Sequence, residues 1–483
     1  MKINVKRLSL LFFFLTQWIF VLAIKPVVIS GQASFAKGNQ LRFYFYNDLL
    51  LKERVLCSTV NVSKEGDFRV EIPTNETVLL TIAYNTTYGS IFIEPEKHYQ
   101  ITLSIDEKYL NRIDAEILGG MIKTYIIPVD TTELNYKINL FDKYLSRFLY
   151  QYTSSIYRGM EKHTYDSLIG LLTKKFFVDY EAIDYYSVYV KYSIASIDLL
   201  YYHKDKEKLY RKYLDSRYIF YNNIAYMDFF DSFFKNYLYT GTRKIPHQIL
   251  YENININRDY YKLLDAMGKE PVLVNERIRE MVFIKGLGEL YELEDEFNRK
   301  NILYLLSQMN SVSKFEEHQT MSNNLIKYLT KLRTATKAPD FVLKDVYNSS
   351  VSLSDFKGRY LYLHFFSTYC EDCIREMLIL KSVHEKYKDS LQIVSIMVDF
   401  EQANLYHFVN SHKEFDWTFL HFGGNYSFID AYSVYGLPLG VLIDSQGKIV
   451  SYPAKSPNQG LLKQFFDIFP MLETPKQVDR NRY

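Results

Sequence analysis

Two of the chain's three cysteines stand in a Cys-x-x-Cys spacing, Cys370 and Cys373, within Phe365-Phe366-Ser367-Thr368-Tyr369-Cys370-Glu371-Asp372-Cys373-Ile374-Arg375-Glu376. Such a pair can cycle between dithiol and disulfide: the first sulfur attacks a disulfide and the second resolves the mixed disulfide that results. The elements that must position the pair lie on either side. Arg359 to Phe366 is a continuous aromatic and aliphatic run of strand length, and Ile374 to Tyr387 has the apolar spacing of a helix. Strand, turn and helix place Cys370 at a helix N-terminus, where unpaired N–H groups and the helix dipole favour a thiolate. Cys373 follows one turn later on the same face.

Two other uses of the pair fit less well. A zinc site normally needs four ligands, and the chain adds only Cys57 far upstream and scattered histidines. No metal is expected. A purely structural disulfide across so short a loop constrains little chain and gains little stability. Redox chemistry is the favoured use.

The surroundings sharpen this reading. Lys337-Ala338-Pro339-Asp340-Phe341 and Val351-Ser352-Leu353-Ser354-Asp355-Phe356-Lys357-Gly358 read as a short hairpin before the first strand. Tyr435-Gly436-Leu437-Pro438 precedes the strand Leu439 to Asp444, and the turn Ser445-Gln446-Gly447-Lys448 leads to a further strand. On these pieces residues 337–470 resemble a thioredoxin-fold domain of the TlpA/ResA-like thiol-disulfide oxidoreductases, related to the AhpC/TSA group. The resemblance implies an α/β domain in which Cys370 is the nucleophile and Cys373 the resolving thiol, with no bound cofactor. It also implies a cis proline at Pro438, facing the cysteines. Leu437 and Pro438 would then form the platform for an extended substrate, beside Tyr369, which stands where the family usually has Trp. A turned backbone beside the thiolate leaves N–H and C=O groups free for strand addition.

Other positions bear on proton transfer. His364 occupies the place where thioredoxins often carry a buried acid, and its ordinary pKa near neutrality suits a proton handler; a strand residue satisfied by a core hydrogen bond is the alternative. Glu376 matches an acidic residue of many ResA-like proteins and becomes a candidate proton handler for Cys373, with a solvated helix glutamate as the rival. Leu378 replaces a frequent proline, so the helix should run unkinked. Glu371 and Asp372 bring negative charge beside Cys370, which opposes the thiolate and favours a reducing couple, although both also suit a helix N-terminus.

The rest of the chain divides by period. Met1 to Arg7 is basic and Leu8 to Ile24 is apolar, the layout of a secretory signal over residues 1–23, with an uncleaved membrane tether as the alternative. Residues 26–110 alternate with period two between turns and read as an antiparallel β-sandwich. This order resembles the N-terminal β-domain that precedes thioredoxin domains in exported Bacteroides-type proteins. Cys57 falls here and reads as a buried thiol. Asn-x-Ser/Thr triplets at Asn61, Asn75, Asn85 and Asn348 read as coincidence in an Asn-rich chain. Residues 125–334 turn to helical spacing, with Asp130 and Glu133 expected to cap a helix carrying Leu134, Ile138, Phe141, Leu145 and Phe148 on one face. Residues 471–483 form a tail.

With 483 residues, 48% of them hydrophobic, the chain can build several cores, and a formal charge of +2 gives no sign of nucleic-acid binding. Its 44 Tyr and 34 Phe are assigned mainly to those cores. The whole reads as a multidomain protein: an antiparallel β-sandwich, a central all-α region and a C-terminal α/β thioredoxin fold. The expected function is an exported, periplasmic oxidoreductase that reduces protein disulfides and is recharged by a membrane-bound electron donor. Two rivals are a binding or assembly protein with an accessory redox domain and a peroxiredoxin-like peroxidase. The peroxidase fits poorly, because Leu363 stands where a proline is expected.

Overall fold

A computed structural model describes residues 26–461 apart from 85–86, 106–121, 204, 243, 294, 400, 435 and 458–459. The expected leader, the C-terminal tail and Asn85 therefore lie outside the described residues.

The alternating N-terminal sequence folds as β1 (Val27–Gln32), β2 (Gln40–Tyr46), β3 (Arg54–Asn61), β4 (Asp67–Ile72), β5 (Val78–Tyr84), β6 (Thr87–Ile93), β7 (His98–Ile105) and β8 (Ile122–Ile126). They form two four-stranded sheets, ordered β4-β1-β7-β8 and β3-β2-β5-β6. In β4, Phe68, Val70 and Ile72 are buried while Asp67, Arg69 and Glu71 are exposed, as period two requires. Ile29, Phe43, Ile82 and Ile101 meet in the core shared by the sheets. The pairing of β1 with β7 is parallel. These strands are distant in sequence, so no hairpin dictates their sense, and the sandwich is antiparallel elsewhere. Cys57 is half-buried rather than fully buried, and its thiol donates to the Phe43 carbonyl at 3.1 Å. Burial pushes its pKa up to about 11, which leaves it an unreactive thiol at neutral pH.

The central region contains α1 (Leu134–Tyr157), α2 (Lys162–Lys175), α3 (Tyr185–Tyr201), α4 (Lys206–Leu209), α5 (Ile224–Phe233), α6 (His247–Tyr251), α7 (Tyr260–Gly268), α8 (Glu276–Tyr291), α9 (Arg299–Val312) and α10 (Glu316–Thr330). Side chains of Asp184, Asn223, Asp259, Asn275 and Asn298 cap five of these N-termini. Glu133 caps α1 through the Tyr136 N–H, whereas Asp130 bonds Thr132 instead of joining the cap. Much of the aromatic content is spent here: Tyr192, Tyr226, Phe229, Phe230, Phe233 and Phe283 pack in one core. Each such burial stabilises by roughly 1.5–3 kcal/mol.

The C-terminal region runs β9 (Val342–Asp345), β10 (Ser350–Ser352), β11 (Tyr360–Phe366), α11 (Glu371–Tyr387), β12 (Leu391–Met397), α12 (Gln402–Ser411), β13 (Thr418–His421), α13 (Tyr426–Ala431), β14 (Leu439–Ile443) and β15 (Ile449–Ser451). The sheet order is β10-β9-β13-β12-β11-β14-β15. β11 lies inside the sheet, parallel to β12 and antiparallel to β14. Separate apolar clusters cover its two faces, which explains why its sequence is a continuous apolar run and not an alternation. The regions touch: the Arg42 guanidinium of β2 stacks 3.3 Å from the Tyr426 ring centre, and Lys331 donates to the Asp430 carbonyl at 2.8 Å.

Candidate active site

β11 ends at Phe366 and the chain turns through Ser367 to Cys370, the N-cap residue of α11. The turn is pinned from several sides. The Cys370 N–H donates to the Ser367 carbonyl at 3.1 Å, and the Thr368 N–H donates to Asp399 Oδ2 at 3.0 Å. The Thr368 hydroxyl donates to the same Asp399 oxygen, and Asp399 is itself buried at the end of β12. His421 Nε2 holds the Asp399 carbonyl at 2.7 Å.

Cys370 and Cys373 form a disulfide with their Cα atoms 5.2 Å apart. The Cys373 N–H donates to Cys370 Sγ at 3.1 Å, so the first sulfur sits where a helix N-terminus stabilises negative charge. Cys370 retains 7% of its surface in contact with solvent and Cys373 none. An incoming disulfide therefore meets Cys370 first. Phe366, Met377 and Leu437 pack in the cluster that contains both cysteines. The Leu437–Pro438 peptide bond is cis. Tyr369, half-exposed beside Cys370, accepts a long hydrogen bond from Asn404 at 3.4 Å.

A buried polar group lies behind the resolving sulfur. Glu376 is on α11, three residues after Cys373, and is almost fully buried. Burial pushes its carboxyl pKa up, with the Asp372 charge adding to the shift and a hydrogen bond to Ser456 opposing it. His364 Nε2 is 3.8 Å from Glu376 Oε2, and on its other side Nδ1 is 3.4 Å from Ser395 Oγ. Ser395 Oγ also accepts from Trp417 Nε1 at 2.9 Å. Complete burial drives the His364 pKa down to about 3, so the imidazole is neutral at pH 7. Among the described residues neither His364 Nε2 nor the Tyr362 hydroxyl has a hydrogen-bond partner. Gly440 of β14 makes room for that hydroxyl, since a Cβ there would stand 2.3 Å from Tyr362 Oη.

The acidic pair Glu371 and Asp372 is arranged differently from the sequence expectation. Both carboxylates are solvent-exposed and both are ion-paired with Arg375, at 3.6 Å for Glu371 and closer for Asp372. Their negative charge is therefore partly neutralised, and solvent screens the remainder. Leu378 is exposed on an unbroken α11.

The structure thus brings Cys370, Cys373, Glu376 and His364 to one locus, with Tyr369 and Leu437 at its surface. Motif reasoning missed Asp399, Thr368, Tyr362, Ser395 and Trp417. Asp399 had a legible signal: an acid directly after the strand-length run Leu391 to Val398, at the strand end where α/β sheets place functional groups.

A thioredoxin-type sheet with a redox dithiol at the start of its first long helix defines a thiol-disulfide exchange enzyme. Residues 333–463 match the Redoxin family model. The thiol-disulfide oxidoreductase ResA of Bacillus thuringiensis is 32% identical over 124 residues, covering 25% of this chain and 69% of the relative. ResA of Bacillus subtilis is 25% identical over 164 residues, covering 32% and 86%. A solution structure titled as a putative thiol-disulfide oxidoreductase from Bacteroides vulgatus is 30% identical, covers 30% of this chain and 96% of its own, and has a TM-score of 0.27. Through its C-terminal domain the chain belongs to the ResA family of thiol-disulfide oxidoreductases. The β-sandwich and most of the helical region lie outside these matches.

Proposed function

We propose that the protein reduces disulfides in client proteins outside the cytoplasm. The leader-like sequence Met1 to Ile24 supports a periplasmic location, with a membrane tether where the leader is retained. Cys370 is the attacking nucleophile: its thiolate displaces one sulfur of the client disulfide, which leaves as a thiolate and takes a proton. The enzyme and client are then joined through Cys370. Cys373 gives its proton to the Glu376 carboxylate and attacks Cys370 Sγ, and the second client sulfur departs as a thiolate. The client gains two electrons and the enzyme ends as the Cys370–Cys373 disulfide, which a membrane-bound dithiol donor re-reduces.

His364 stands in this reading as a neutral imidazole 3.8 Å from Glu376, in place to pair with that carboxyl once it takes up the Cys373 proton. Tyr369, Leu437 and Pro438 form the platform on which an extended client segment lies. The observation that carries the reading is the pairing of a solvent-touched Cys370 with a buried Cys373 backed by a buried acid.

The deciding experiment is the reduction potential of the pair in dithiothreitol buffers. A value at or below about −270 mV, that of thioredoxin, supports a reductant; one near −120 mV, that of DsbA, makes the protein a disulfide donor and overturns the direction.

A further inference from the structure

Where the β-sandwich meets the helical region there is a second concave site, made wholly from residues outside the matched redox domain. A cavity of about 780 Å³ lies between strands β6 and β8 and helices α1, α3 and α5. That volume falls within the range of ligand pockets. Ile91, Ile126, Ile138, Leu145 and Ile197 give it apolar walls. Tyr125, Ile127, Val129 and Tyr136 carry apolar surface outward at its rim, and all four are exposed.

One wall group does not match its surroundings. Asp142 of α1 accepts the Tyr189 hydroxyl on its two oxygens, at 3.0 and 3.1 Å. Among the described residues it has no cationic partner, and burial raises its pKa. The other carboxylates of the lining are engaged: Asp228 with Lys52, Glu133 with the start of α1, and Asp130 with Thr132. A carboxylate held in an apolar recess without a counter-charge favours a ligand that brings one. Strand addition at Phe92 of the β6 edge is blocked, because the Asn135 side chain occupies both the N–H and the carbonyl of Phe92, at 2.7 and 2.8 Å. At that point an occupant is held through its side chains.

We propose that this cavity is a client-docking site that takes a protein segment in which apolar residues flank a single lysine or arginine, the cation seating on Asp142. The choice of a client as occupant rests on the oxidoreductase reading above. The apolar rim beyond the cavity favours a chain segment over a small molecule, and the charge of Asp142 sets the sign of its central residue.

The test uses the full-length protein and three cysteine-free dansyl peptides, Gly-Leu-Phe-Lys-Leu-Phe-Ser-Gly and its versions with Gln or Glu in place of Lys. Fluorescence anisotropy should show the Lys peptide binding about tenfold more tightly than the Gln peptide, and the Glu peptide weakest. Asp142→Asn should erase the Lys preference while leaving the reduction potential of the Cys370–Cys373 pair unchanged. Equal affinities for the three peptides on the wild-type protein overturn the proposal, and that arm needs no folded variant. A Lys preference that survives Asp142→Asn but is lost in Leu437→Asp overturns it too, by placing the peptide at the disulfide. Insulin reduction measured in parallel separates the two readings: turnover without peptide discrimination defeats the docking site alone, and discrimination without turnover defeats the oxidoreductase reading alone.

Discussion

Two buried polar clusters in this molecule are built on opposite terms. In the helical region Asp198 is almost completely buried and saturated: it accepts from Tyr165, from Tyr213 at 2.7 Å and from Lys212 at 2.7 Å. Glu280 is likewise held by Ser313 at 2.6 Å and His318 at 2.7 Å. Behind the disulfide, by contrast, His364 Nε2 and the Tyr362 hydroxyl have no hydrogen-bond partner among the described residues, and Glu376 has a hydrogen bond to Ser456 and a histidine at 3.8 Å. A satisfied buried network holds one structure in place; an unsatisfied one costs stability, and perturbed buried groups of that kind cluster at functional sites. The first cluster fits an architectural role, and the proposed function gives the second a chemical one. Substitutions should separate them by what each damages.

The largest effect belongs to the sulfurs. Cys370→Ser should reduce disulfide turnover to the uncatalysed background, and Cys373→Ser should trap the client as a mixed disulfide visible on non-reducing gels. Retention of turnover by Cys370→Ser would break the comparison at its root. Asp198→Ala should do the reverse. It strands two tyrosine hydroxyls and an ammonium group, and should cost about 3–5 kcal/mol in urea denaturation. The reduction potential of the pair should not move.

His364 gives a pH-dependent contrast. Its pKa is about 3 in the fold and about 6.5 when unfolded, so between these values the unfolded chain binds the extra proton. Stability from this group is intact above pH 6.5 and falls as pH drops toward 3, by up to about 1.4 kcal/mol per unit. Glu376 works in the opposite sense: its raised pKa makes its contribution greatest in acid and lost as pH rises through the folded value. Denaturation of His364→Leu and wild type at pH 7, 5 and 4 should therefore give curves that diverge in acid, with the variant the flatter. Parallel curves would show that His364 titrates freely. For Glu376→Gln, the expected effect is a roughly 10- to 100-fold slower resolution step, with the part of its pH dependence that follows the carboxyl removed, measured by stopped-flow release of a dye-labelled thiol.

The two clusters also differ in how far the sequence disclosed them. Cys370, Cys373, Glu376 and His364 were legible because strand, turn and helix fix their relative positions over a short stretch, so spacing alone encodes geometry. Asp399 and Trp417 reach the site from other strands, and Tyr362 belongs to a strand whose two buried faces look alike in sequence. The long helices such as α1 and α3 were readable, and so was α5 within the stretch Lys206 to Gly268, while the rest of that stretch was not. There short α-helices alternate with wider π-type turns at Tyr210–Leu214, Tyr237–Gly241 and Glu252–Ile256, which break the 3.6-residue period. Asp198 gave no signal, since its partners come from Tyr165 and from residues past the end of its own helix.

The smallest effect tests how far surface charge near the site matters beside the buried groups. Glu371 and Asp372 flank Cys370, and a negative charge there disfavours the thiolate, destabilises the reduced pair and makes the potential more negative. Arg375 offsets both acids, so Arg375→Ala should unmask them. All three side chains are solvent-exposed, and exposed ion pairs contribute little, so the potential should fall by no more than about 20 mV. The shift should vanish at high salt, because screening acts over about 3 Å at 1 M. A larger, salt-resistant change would mean that Arg375 acts on the buried groups behind Cys373, and the division between a chemical interior and a merely solvating surface would fail at this helix turn.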